Sequence, residues 1–123
     1  MRSTNWIRVA LGAAAALNAL GVAVFLPLAL GRPSALLPVE VAPYFAAQLA
    51  LVIGIFGGVY AWLATQPVPP RPLMVVGGLG KLGFWLLTVV YAALGDVPGS
   101  MVLQTLPDGV FGTLFLWWVL RRQ

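Results

Sequence analysis

The 123-residue chain contains no cysteine and no histidine, and only 8% of its residues are charged. Without cysteine there is no disulfide, no thiolate nucleophile and no haem attachment, and without histidine the usual zinc and copper sites go as well. The side chain that most often moves protons near neutral pH is also missing. A soluble domain needs about a quarter of its residues charged to face water, so charge this sparse excludes one. Three acids stand against seven lysines and arginines, for a net charge of +4. The basic residues sit singly at the ends of apolar runs, which is a pattern of membrane topology and not a nucleic-acid footprint. The reading therefore expects no cofactor, no metal and no nucleic acid. The expected partner is the lipid bilayer.

What fills the chain is apolar: 61% of residues are hydrophobic and the mean hydropathy is +0.97. Four segments stand out, at about 6–30, 43–64, 73–94 and 101–120, each near the ~20 residues a spanning helix needs. The runs are continuous, whereas a β-barrel would alternate over short stretches. The first segment has the charged start of a signal peptide, but it stays apolar beyond the ~7–15 residues of a signal core, so a retained helix is expected. The fold class expected is an all-α integral membrane four-helix bundle, a single transmembrane domain over residues 1–123.

Glycine and proline punctuate the runs. Gly31-Arg32-Pro33-Ser34 ends the first, and Pro43 suits the first turn of the second. The stretch Gln66-Pro67-Val68-Pro69-Pro70-Arg71-Pro72 is a stiff connector that no helix crosses. Gly95 reads as a terminator and Ser100 as a cap for the fourth helix. Four spans put both termini and the 66–72 connector on one side, with Arg2, Arg8, Arg71, Arg121 and Arg122; Arg32, Glu40 and Asp96 fall opposite. The excess of arginine places both termini in the cytoplasm of a cell whose inner (plasma) membrane holds the protein. Trp6, Trp62, Trp117 and Trp118 fall near the same face, as an interfacial aromatic belt would.

Few polar side chains lie deep in the spans, and two of them carry opposite charge. A charge at the bilayer centre costs ~2.5–3.5 kcal/mol on insertion scales, so Lys81 in the third span and Asp108 in the fourth invite pairing. Depth puts them, with Asn18 of the first span, within a side chain's reach of one layer. Their side chains lean toward opposite ends of the bundle, however, which opposes a direct bridge. Lys81, Thr88 and Tyr91 share a face with Gly77 and Trp85, and Gln104, Thr105 and Asp108 share one on the fourth span. The candidate polar cluster is Lys81, Asp108, Asn18, Gln104 and Thr88. It reads as a structural ion pair or network, as a binding site or ion path, or as a lysine snorkelling to the interface.

Three motifs bear on this. Leu106-Pro107-Asp108-Gly109 should kink the fourth helix; a broken helix beside a charge would instead mark a transporter site. Gly78-Leu79-Gly80-Lys81-Leu82-Gly83 has dinucleotide-loop spacing without the strand that motif needs, so its glycines, with Gly77, are read as helix-packing residues. Ala46, Ala50, Gly54 and Gly58 form a small-residue ridge, with Tyr44 and Gln48 as a second polar face nearly opposite. Either the ridge or the polar face looks inward, and the sequence does not separate the two.

In size, four-span layout and glycine-rich third helix, the chain resembles small uncharacterised bacterial membrane proteins of the broad DoxX-like kind. The residues that carry the resemblance are Tyr60-Ala61-Trp62-Leu63-Ala64, Arg71-Pro72-Leu73, Gly80-Lys81 and Pro107-Asp108-Gly109. It implies a four-helix bundle and no established activity. Small multidrug exporters carry a glutamate in their first helix where this chain has only Asn18. Vitamin K reductase-like enzymes need cysteines. The membrane glutathione-enzyme family has arginine and glutamate within its helices, absent from these spans. The functional expectation is a non-catalytic polytopic membrane protein, an accessory or assembly subunit or a small homo-oligomer. The alternative is a transporter or channel using Lys81 and Asp108. An enzyme is not expected.

Overall fold

A computed structural model describes residues 2–37 and 39–121, with the side chains of residues 2–4 outside the description. Arg122 and the Arg2 side chain, which carry part of the charge asymmetry, lie outside the described residues. The described chain is helical: α1 spans Arg2–Ala29, α2 Pro43–Ala64, α3 Arg71–Ala93, α4 Ser100–Gln104 and α5 Leu106–Arg121. Three helices, α1, α2 and α3, are long and apolar enough to cross a membrane.

The helix ends follow from local chemistry. At the end of α1, Gly31 takes φ 76°, the left-handed conformation that glycine adopts without a Cβ penalty. Gly31 N–H then bonds the Leu28 carbonyl at 3.0 Å and Arg32 N–H the Pro27 carbonyl at 2.9 Å, a pairing that satisfies two terminal acceptors. The same closure recurs after α3. Gly95 takes φ 85°, its N–H bonds Ala92 O at 3.1 Å, and Asp96 N–H bonds Tyr91 O at 2.9 Å. Proline opens the next two helices: Pro43 is the first residue of α2 and Pro72 the second of α3, positions whose N–H would be unbonded anyway. Pro27 stays inside α1, one turn from its end.

The fourth apolar run departs from the expected single helix. It forms two, α4 and α5, interrupted at Thr105. The N-cap of α4 is Gly99, with no side-chain cap bond, so Ser100 is the first helical residue and not the cap expected of it. The interruption sits just ahead of Pro107, which has no N–H for the Leu103 carbonyl. Thr105 ends α4 with its N–H on Met101 O at 2.9 Å, and Asp108 N–H reaches back three residues to Thr105 O at 3.0 Å. At 16 residues α5 alone is shorter than the other apolar helices.

The described chain divides into two compact units, Met1–Ala10 with Leu63–Gln123, and Leu11–Trp62. In the second unit, the buried residues of α2 are Ala46, Ala50, Gly57 and Tyr60, at spacings of four, seven and three residues that trace one helical face. Gly57 faces Asn18, whose Cβ would lie 3.0 Å from a Cβ added there. The Asn18 amide donates to Ile53 O at 2.9 Å. In the first unit, α3 and α5 pack antiparallel. Partners run from Gly78 against Leu116, through Leu82 against Gly112, to Trp85 against Gly109. Met74, Phe115, Trp118 and Val119 are buried in the same unit.

Candidate functional site

The α3–α5 seam is closed by glycines. A Cβ on Gly112 would run into the Leu82 backbone nitrogen and stand 2.8 Å from the Gly78 carbonyl oxygen. One on Gly78 would lie 2.7 Å from Leu116, and one on Gly109 2.8 Å from the Trp85 ring. Small residues let helix backbones approach where lipid offers no hydrophobic drive to associate. Of the glycines expected to pack, Gly77 is buried, while Gly54 meets only Val22, at an ordinary 3.5 Å. Gly58 and Gly80 face open space. Helical phase explains the difference: Gly80 lies two residues from Gly78 and therefore on nearly the opposite face. The sequence reading included Gly78 among the packing glycines and missed Gly109 and Gly112. The three-residue spacing of Gly109 and Gly112 was the available signal.

Over this seam Lys81 Nζ donates to Asp108 Oδ1 at 2.6 Å. The lysine side chain is 5% exposed and the aspartate 21%. The antiparallel register sets Lys81 level with Thr113, five residues past Asp108 and so ~7.5 Å away along the helix axis. The four-carbon lysine stem spans that offset against its intrinsic lean. Both charges are thus compensated in one contact, which is the condition for keeping them out of water.

Thr88 is buried, but its hydroxyl donates to Phe84 O at 3.0 Å within its own helix. Thr105 and Thr113 do likewise, to Met101 O and Gly109 O, each at 2.8 Å. Such back-bonding to the residue four earlier removes a hydroxyl from any inter-helix network. Gln104 is exposed on α4. Asn18 belongs to the other unit, where it ties α1 to α2. Tyr91 is exposed, on the last turn of α3. Tyr44 and Gln48 are both exposed and bond to each other, Gln48 Nε2 to the Tyr44 hydroxyl at 3.0 Å. The inward face of α2 is therefore the one carrying Ala46 and Ala50.

Trp85 has a role beyond its shared face with Lys81. Its indole N–H donates to Val102 O at 3.1 Å, while its ring lies over Gly109. In an unbroken helix the Val102 carbonyl would accept from Leu106. Trp85 takes that place and so pins the interruption beside Asp108.

At one end of the same unit, the Trp6 and Trp117 rings meet with centroids 5.7 Å apart. The Arg121 guanidinium lies 4.9 Å from the Trp117 centroid, and Arg8 Nε donates to Ala64 O at 2.9 Å. Arg8 thereby satisfies a carbonyl at the C-terminus of α2, where a cation also meets the negative end of the helix dipole. Trp118 departs from the expected belt. It is buried and not facing outward.

No family model matches the chain, and no curated protein and no solved structure is significantly similar to it.

Proposed function

We propose that the chain is an integral membrane protein that crosses the bilayer four times, with both termini on the cytoplasmic side of the inner (plasma) membrane. Supporting this is the Trp6–Trp117 contact, which brings the start of α1 beside the end of α5. An odd number of crossings would hold those ends apart by the ~30 Å hydrocarbon thickness. The fourth crossing uses α4 and α5 together, since residues 100–121 reach ~33 Å at helical rise. The excess of arginine on the side that holds Arg8, Arg71 and Arg121 supports the cytoplasmic orientation.

Within that frame the protein is a non-catalytic subunit, an accessory or assembly component or a small homo-oligomer. The observation that carries this reading is the closed Lys81–Asp108 pair over a glycine seam, where the charges clasp two helices and the lysine is sealed from solvent. The DoxX-like likeness rests on layout and short motifs, and the proposed role takes nothing from it. A second reading, transport of an ion or small solute through Lys81 and Asp108, is favoured by the helix interruption at Thr105, one turn from the carboxylate. Uptake into vesicles and assembly in mild detergent, compared for Lys81→Ala and Asp108→Ala, separate the two. Lost assembly or stability with unchanged solute flux supports the structural role; altered flux from a correctly assembled variant overturns it in favour of transport.

A further inference from the structure

We propose that the end of the first unit holding Arg71 and Arg121 binds the phosphate headgroup of an anionic phospholipid; this rests on the membrane reading above. The α3–α5 register, in which partner numbers fall on α5 as they rise on α3, sets Arg71 and Arg121 within ~3 Å of one level along the axis. Arg8 and the Trp6–Trp117 pair belong to the same end. Both Arg71 and Arg121 are exposed. The one salt bridge among the described residues is Lys81–Asp108, so no described carboxylate neutralises either arginine. Asp96 follows the far end of α3.

The chemistry presented is guanidinium groups that form forked hydrogen bonds to phosphate oxygens, one of them steadied over an indole face. Within two turns of these arginines, Leu73 and Val76 of α3 and Trp117 and Leu120 of α5 are apolar and exposed. An acyl chain covers such a surface, and a free phosphate does not. A lipid is therefore the ligand whose two parts match the two parts of the site.

The test is native mass spectrometry of the full chain in mild detergent, titrated with phosphatidylglycerol or phosphatidylcholine. Phosphatidylglycerol adducts are expected to dominate, and Arg71→Gln and Arg121→Gln are each expected to weaken them about fivefold. Arg32→Gln, on the connection after α1, is expected to change nothing, and Arg121→Lys to retain part of the binding. Equal binding of the two lipids, or equal loss with Arg32→Gln, overturns the site. Displacement by inorganic phosphate at the lipid's own concentration makes the ligand a free anion and also overturns it. Carbonate extraction of the membranes separates the two levels. A chain that stays in the pellet while the lipid test fails loses only the lipid site, and a chain released by carbonate loses the membrane reading with it.

Discussion

Breaking the Lys81–Asp108 pair from either side leaves one buried charge without its counter-charge, and that is where the pair's energetics show. Lys81→Ala and Asp108→Ala are each expected to cost about 3–5 kcal/mol, read as reversible unfolding in bicelles. The double variant is expected to cost little more than either alone, because the second substitution removes a charge that no longer has a partner. Replacing both by apolar residues of similar size, Lys81→Met with Asp108→Leu, is expected to be neutral or stabilising by ~1–4 kcal/mol. The pairing was legible in the sequence because burying one charge in an apolar run demands the other. Its neighbours were not. A threonine can satisfy itself on the carbonyl four residues back, as Thr88 does, so its place on a polar stripe says little about whom it bonds.

At the scale of elements, the seam between α3 and α5 depends on which glycines meet backbone. Gly112→Ala is expected to destabilise by ~1–3 kcal/mol as the added methyl forces the helices apart. Gly80→Ala, with nothing near it, is expected to leave thermal stability unchanged or raise it. The same melting measurement checks both. Trp85→Phe keeps a ring over Gly109 and deletes the bond to Val102 O, which is expected to cost about 1 kcal/mol. Its signature is faster amide exchange across residues 100–106 with α3 protection unchanged. Helix ends were readable in advance where Gly31, Pro43 and Gly95 act through their own backbone chemistry, whereas Arg71 and Pro72, read as the end of the connector, form the first turn of α3. The seam and the Thr105 interruption were not readable. Among Gly77, Gly78, Gly80 and Gly83, only the partner helix decides which one is approached, and Pro107 fixes that a bond is lost without fixing where the helix breaks.

For the molecule as a whole, the account stands on an even number of crossings, with α5 spanning although it is shorter than the helices before it. The absence of native cysteine lets single substitutions report sidedness without background. Asn5→Cys, Pro70→Cys, Ser34→Cys, Gly99→Cys and Gln123→Cys, placed one at a time and labelled with a membrane-impermeant maleimide from each side, give the most direct test. The expected result is that the sites at 5, 70 and 123 label from the cytoplasmic side and those at 34 and 99 from the other. Labelling of the site at 123 from the same side as 34 and 99 would mean three crossings, and would contradict the account.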